Sequence, residues 1–403
     1  MQAPWFAPLV IGAAILGWLC ALLFGEVVWL GDLTRMLQTA FLSALKMIIA
    51  PMIFFSLLTG IMQLRQAGSV GRLGGVTIAY YFFTSAIAIG IGLTVVFIFH
   101  PWTAYPPLQE LPDMELDLIS ADQGGLTDLS TNLITSLLSN PFAALAETNI
   151  LGILFAAILI GLAAANHLPK DSKWPEMLNE LTQVVFTIAR WVIATMPLGL
   201  FAIAFQMTER IDVTTLISLG YFAGIVIGAT LFHGLFVLPA IAWLMTGTKP
   251  WHLLRNIYQP MLTALLTSSS AATLPVSLNT AENRLQVDPP KAAFVLPLGA
   301  TINMDGTALF EGIAVVFLAY MFNVPLDGAS IVIIFFVAML ASAGAPGIPT
   351  GSMAGLQTVL LAVGIPLEAI ALLLIIERPL DTIRTAVNVQ GDLVGSMVVN
   401  KWA

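Results

Sequence analysis

The chain has 403 residues, of which 58% are hydrophobic and 9% charged, with a formal net charge of -8. An ordinary soluble domain carries about a quarter of its residues charged, so this chain cannot cover itself with polar surface. Soluble enzymes, nucleic-acid binders, disordered chains and disulfide scaffolds are set aside, and a multi-spanning, all-α integral membrane protein remains. Cys20 is the single cysteine, so no intrachain disulfide can form.

Residues Met1 to Trp5 hold no basic stretch ahead of the first apolar run, and no cleaved signal peptide is expected. That run, Pro4 to Phe24, is long enough to span at about 1.5 Å per residue. Further apolar stretches follow at 33–63, 75–99, 130–166, 176–207 and 213–246, making six candidate spans. Alternating them puts Arg65, Arg72, Lys170, Lys173, Lys249, Arg255, Arg284, Lys291 and Lys401 on one side and Arg35 and Arg210 on the other. The positive-inside rule then makes the richer side cytoplasmic, with both termini inside and the 101–129 connection outside. That connection carries Glu110, Asp113, Glu115, Asp117, Asp122 and Asp128 without Lys or Arg, and reads as a solvated loop.

After residue 247 the pattern changes. Residues 253–266 and 276–280 flank a hydroxyl-rich break, Thr267 to Pro275, with arms too short to cross, as in a re-entrant hairpin. A second break, Ala341 to Ser352, divides the apolar stretch 329–364. Non-helical backbone at membrane depth is tolerated only where protein buries it or a watery cavity lines it, and paired interruptions point to a transporter's binding site.

The last apolar stretch, Leu367 to Val399, contains Glu377, Asp381, Arg384, Thr385, Asn388 and Asp392. At roughly 100° per residue the five charged and amide side chains fall within about 80° of one another, with Thr385 at the edge. Such a stripe cannot face lipid. Arg384 has the planar fork to clamp a substrate carboxylate, Asp381 suits an ammonium group, and Asp392 with Asn388 offers oxygens to a hard cation. An ion-pair ladder that binds nothing is the competing reading. Upstream, Asn303, Asp305 and Thr307 recur at every second residue between Gly299 and Gly306, a pattern suited to backbone unwound at the glycines. Tyr81, Thr84 and Ser85 share one helical face and add three oxygens. An intramembrane hydrolase built on Ser268 to Ser270 would need a base, and His100, His167, His233 and His252 read as lying near helix ends or without catalytic spacing.

Ser268-Ser269-Ser270-Ala271-Ala272-Thr273-Leu274-Pro275, Asn303-Met304-Asp305-Gly306-Thr307, Gly344-Ala345-Pro346-Gly347 and the run Asp381 to Asp392 closely resemble the dicarboxylate/amino acid:cation symporters, the family of the glutamate transporters. The likeness is specific over about 250–400, and Tyr81 to Ser85 resembles the family's third helix.

The resemblance implies eight transmembrane helices plus two re-entrant hairpins with inverted repeats, assembled as a homotrimer that moves like an elevator. Residues 1–70 would be scaffold helices 1 and 2, and 71–100 transport-domain helix 3. Residues 101–212 would form the external loop and scaffold helices 4 and 5, and 213–403 the transport core. Substrate, L-glutamate or L-aspartate, would be held by Ser269, Ser270, Thr307, Ala345, Gly347, Asp381, Arg384, Thr385 and Asn388. One sodium would take Gly299, Asn303, Asn388 and Asp392. A second would take Thr301 with carbonyls of Met339, Leu340 and Ser342, and a third Tyr81, Thr84, Ser85, Asn303 and Asp305. Glu311 stands where family members that carry a proton and countertransport potassium have glutamate. The second arginine usual in the family is missing, since its two customary positions read Ser268 and Thr382. The chain is thus expected to be no enzyme, but a sodium-coupled symporter of acidic amino acids in a prokaryotic inner membrane. A C4-dicarboxylate carrier, or an ion channel, is the alternative.

Overall fold

The computed structural model describes residues 6–66, 71–107, 134–135, 137–169, 171–207, 213–345, 347 and 351–403. Lys170, Arg210, the acidic residues of the external connection, and Pro346 and Ile348 to Thr350 of the second break lie outside these. The described residues are helical, with no strand among them.

The first three helices are α1 (Phe6–Phe24), α2 (Val28–Gln66) and α3 (Gly71–Ile98). Among the described residues of the expected span 130–166, α4 (Pro141–Glu147) and α5 (Ile150–His167) are separate helices. Asn140 caps α4 by accepting from the amide of Phe142, Thr148 is left-handed at φ 57°, and Asn149 caps α5 through Gly152 N at 3.2 Å. Those residues start, stop and restart the helix, which an apolar average conceals. The expected span 176–207 likewise divides at Thr195 into α6 (Trp174–Ala194) and α7 (Met196–Met207). The span 213–246 is continuous but holds a π turn, His233–Val237, between α8 (Val213–Phe232) and α9 (Leu238–Thr246).

The helices at the expected hairpins follow. They are α10 (Pro250–Thr267) with α11 (Ser270–Asn283), and α14 (Gly328–Gly344) with α15 (Ser352–Ala362). Between the hairpins run α12 (Pro289–Ile302) and α13 (Asp305–Met321), and the chain closes with α16 (Ile370–Trp402) after a 3-10 turn at Leu367–Ala369. The first break is narrower than its composition suggested. Only Ser268 and Ser269 leave the helix, because Ser268 adopts φ 48° as the cap of α10 and Ser269 caps α11 through Ala272 N.

Among the described residues, three continuous stretches are long and apolar enough to cross a bilayer: Arg72–Ala104, Val213–Thr246 and Pro289–Met321; α6 with α7 makes a fourth if that bent pair is one span. In the packing, α2 lies against α5, α6 and α7, and α1 lies against α7. The 33-residue α16 is enclosed by α3, α8, α9, α10, α11, α12 and α13. Every residue from Arg384 to Val399 is buried. The polar stripe therefore belongs to a helix enclosed on all sides there, so all its charges must be answered by protein or ligand.

Candidate substrate and cation site

At one end of the site lies an ionic cluster. The Arg384 guanidinium donates from Nη2 to Glu377 Oε1 at 2.6 Å and to the Ser352 hydroxyl at 2.9 Å, while Asp381 Oδ1 stands 3.4 Å away. Ser352 also donates to Glu377 Oε1, at 2.8 Å. The guanidinium carbon sits 3.7 Å from the centre of the Phe310 ring, a close cation–π contact that holds the plane of the fork. Arg384 is fully buried, and its Nε and Nη1 have no hydrogen-bond partner among the described residues. Its first partner is thus Glu377, seven residues back on the same helix, rather than Asp381. Glu377 was legible as a member of the stripe, yet nothing in the spacing singled it out.

The remaining expected substrate residues lie at the breaks between α10 and α11 and between α14 and α15, on α13 and on α16. Ser269 Oγ donates to Gly347 O at 2.7 Å and Ala271 N to the same carbonyl at 3.3 Å, so the two hairpin tips are bonded to one another. Ser270 and Ala345 are buried beside them. A side chain at Gly347 would collide with Ala300 O, which is why the tip passes there as glycine. Thr307 Oγ1 accepts from Asn388 Nδ2 at 3.3 Å, and Thr385 Oγ1 donates back to Asp381 O at 2.8 Å within its own helix.

The second half of the site is an oxygen-rich centre at the break between α12 and α13. The break falls at Asn303 and Met304, not at the glycines, since Gly299 and Gly306 are helical. Gly299 O accepts from Asn303 N at 2.9 Å, so that carbonyl is occupied rather than opened. Gly299 instead allows close approach. A β-carbon there would lie 2.5 Å from both Asp392 Oδ1 and Tyr81 Oη. Asn303 Nδ2 donates to Asp392 Oδ1 at 3.0 Å, Thr84 Oγ1 to Asn303 Oδ1 at 3.3 Å, and Ser85 Oγ to Asp305 Oδ1 at 3.0 Å. Tyr81 Oη donates to Val295 O at 2.8 Å. Asn388 Oδ1 accepts from Gly306 N at 2.7 Å, capping the start of α13. The structure therefore links Thr84, Asn303 and Asp392, brings Tyr81 and Asp392 together at Gly299, and sets Ser85 and Asp305 as a second bonded pair, while Asn388 bonds to Gly306 N and Thr307. Carboxylates, amides and hydroxyls of this kind are the donor set of a hard cation.

The second expected ion set, Thr301 with Met339, Leu340 and Ser342, is not joined in this way. Thr301 Oγ1 donates to Pro297 O and Leu298 O in its own helix, and Ser342 Oγ to Met339 O. Met339 and Leu340 are part-buried on α14, which packs against α12.

Glu311 is fully buried on α13, with both carboxylate oxygens lacking a hydrogen-bond partner among the described residues, and its carboxylate abuts Gly355 of α15. His233, one of the four histidines read as near helix ends or without catalytic spacing, lies midway along the 213–246 stretch. It is fully buried on the π turn, with Nε2 3.3 Å from Asp305 Oδ2. Its signal was available, because an ionisable residue midway along an apolar run is a functional candidate by default. The same turn frees Gly234 O to accept from Gln390 Nε2 at 2.6 Å.

Interrupted helices meeting around a buried, charge-rich centre define a multi-pass membrane transporter. The sequence profile of the sodium:dicarboxylate symporter family matches residues 6–402. Excitatory amino acid transporter 3 of Mus musculus is 33% identical over 402 residues, covering 89% of this chain and 77% of that protein. An excitatory amino acid transporter of Caenorhabditis elegans is 31% identical over 401 residues, covering 89% and 79%. Excitatory amino acid transporter 2 of Homo sapiens is 32% identical over 407 residues, covering 88% and 71%. The chain belongs to the sodium:dicarboxylate symporter family, and it is a transporter rather than an enzyme.

Proposed function

We propose that the protein is a sodium-coupled secondary symporter of L-aspartate or L-glutamate. The observation that carries this reading is the Arg384 guanidinium, buried, stacked on Phe310, and with Nε and Nη1 unpartnered among the described residues while Nη2 is anchored to Glu377 and Ser352. A fork fixed by one edge and open at the other is arranged to take a carboxylate. In this reading Asp381 and the neighbouring hydroxyls hold the amino group, with Ser269, Ser270, Thr307, Ala345, Gly347, Thr385 and Asn388 around the substrate. Sodium is the co-transported cargo, bound by the oxygen centre of Asn303, Asp305, Asn388 and Asp392 with Gly299, Tyr81, Thr84 and Ser85. Thr301 with the carbonyls of Met339, Leu340 and Ser342 supplies a further ion position. Glu311 is the candidate proton carrier, and potassium counterflow is the further coupling to test.

The carrier works in a prokaryotic inner membrane as a homotrimer, with eight spans, two hairpins and both termini cytoplasmic. Residues 1–70 and 101–212 provide the scaffold, while 71–100 and 213–403 move as the elevator. The contacts of α2 with α5, α6 and α7, and of α16 with α3 and α8 to α13, support that division.

The family's name also covers dicarboxylates that lack an amino group. Asp381 is paired by arginines before any substrate arrives, so its charge alone does not exclude them.

The decisive experiment is uptake into proteoliposomes under sodium, proton and potassium gradients imposed one at a time. Sodium-driven aspartate or glutamate uptake, abolished in Arg384→Ala while the assembled protein remains intact, is the expected result. Absence of any sodium-stimulated uptake of an acidic amino acid would overturn the proposal.

A further inference from the structure

We infer that Arg378 is an internal counter-ion that Asp381 exchanges for a substrate's ammonium group, and that it thereby sets the preference between amine-bearing and amine-free C4 dicarboxylates. The inference rests on the substrate reading above.

Arg378 precedes Pro379 on α16 and stands three residues before Asp381. Its Nη1 lies 3.7 Å from Asp381 Oδ2, while Asp381 Oδ1 is 3.4 Å from Arg384 Nη2. The two arginines differ in kind. The Arg384 side chain is 1% exposed and its shortest contact, 2.6 Å, is to Glu377. The Arg378 side chain is 20% exposed, and its approach to Asp381 is beyond hydrogen-bond length. Arg384 therefore spends most of its charge on Glu377, and Asp381 is neutralised by a second cation that is loosely held. Two carboxylates, Glu377 and Asp381, thus face two guanidiniums.

A substrate ammonium brought to Asp381 adds a positive charge to that balanced set. Of the two arginines only Arg378 has a way out, since its long stem can stay on α16 while its head turns toward the exposed side. A dicarboxylate without an amine has no cation to offer, so Arg378 stays on Asp381 and masks a carboxylate that would otherwise repel the ligand. Arg378 is accordingly a positioning and specificity-determining residue that acts through Asp381.

The test is equilibrium binding of aspartate and of succinate to the purified full-length protein in sodium, comparing wild type with Arg378→Met and Arg378→Lys. Removing the competing cation while leaving an apolar stem should shift the succinate-to-aspartate Kd ratio by about tenfold in favour of aspartate, the scale of one ion pair in a partly buried setting. Arg378→Lys should return the ratio to within about twofold of wild type. A merely structural role would weaken both ligands together, so an unchanged ratio, or a shift toward succinate, overturns the inference. Arg378→Gln provides the same comparison if Arg378→Met fails to assemble. Wild-type protein that binds no acidic amino acid in sodium would instead sink the substrate reading, a different and separately visible outcome.

Discussion

Glu377 Oε1 is shared by two donors, Arg384 Nη2 at 2.6 Å and the Ser352 hydroxyl at 2.8 Å, which ties the middle of α16 to the first residue of the second hairpin's returning arm. All three residues are buried. Cutting Glu377 to alanine leaves the guanidinium without its nearest counter-charge, and breaking a buried pair from one side costs about 3–5 kcal/mol. Glu377→Gln keeps an acceptor for both donors and should cost markedly less. Thermal melting of the purified protein distinguishes them: Glu377→Ala is expected to fall well below Glu377→Gln, and equal melting points would show that the acceptor oxygen is not what holds this joint.

Asp392 Oδ1 accepts from Asn303 Nδ2 at 3.0 Å and crowds Gly299 together with the Tyr81 hydroxyl. Asp392→Asn keeps the shape but removes a negative charge from a site proposed for a hard cation, whose affinity scales with ligand charge. Half-saturating sodium for transport is expected to rise by about tenfold or more, with little change in melting temperature. A sodium activation curve that overlays the wild type would remove Asp392 from the ion site.

Much of this site was legible because its chemistry is costly where it lies. Charges at 377, 381, 384 and 392 in an apolar helix can be tolerated only in an interior, so their burial followed from their spacing. The interruption at Ser268 and Ser269 was readable from its hydroxyl-rich composition. What the sequence hid are relationships that depend on which helices meet. The choice of Glu377 over Asp381 as the first partner of Arg384 is set by Ser352 arriving from a different element. The pairing of His233 with Asp305 bridges 72 residues and uses a π turn with no strong composition signal. The break at Asn303 and Met304 was displaced from the glycines because those glycines are needed for contact, not for unwinding. Thr148 and Asn149 likewise divided a stretch whose average hydropathy suggested one span.

Gly306 illustrates the contact role. A β-carbon there would sit 2.6 Å from Arg384 O and 2.9 Å from Arg384 Cα. Both are backbone atoms of a buried helix and cannot turn aside, so Gly306→Ala must push α13 away from α16, at roughly 1–3 kcal/mol for an overpacked core. Gly312, two turns further along α13, is the control, because its β-carbon would meet the Leu93 and Ile89 side chains no closer than 3.6 Å. Gly306→Ala is expected to lower both the melting temperature and uptake, and Gly312→Ala neither. Equal tolerance of the two would mean that α13 and α16 are not held at this distance in the working protein.

Outside the buried centre, the start of α14 offers a test of local energetics by pH. Asp327 is exposed and accepts from Ser330 N at 2.7 Å and from the Ser330 hydroxyl at 2.7 Å, which caps the helix. The backbone N–H of Ser330, followed by its hydroxyl, holds the Asp327 carboxyl below its usual range. A carboxyl whose folded value is depressed stabilises the fold above its unfolded value, near 4, and that contribution is lost as pH falls through the folded value. Asp327→Ala should therefore cost about 1 kcal/mol at neutral pH, the ordinary worth of such a cap. Its deficit against wild type should narrow below about pH 4 as the wild-type carboxylate takes up its proton. Asp327→Asn keeps an acceptor oxygen but cannot titrate, so its melting temperature relative to alanine should stay constant over the same range. Melting curves at pH 7 and pH 3 for the three proteins measure both effects, and a deficit that widens toward low pH would reverse the sign and refute the assignment.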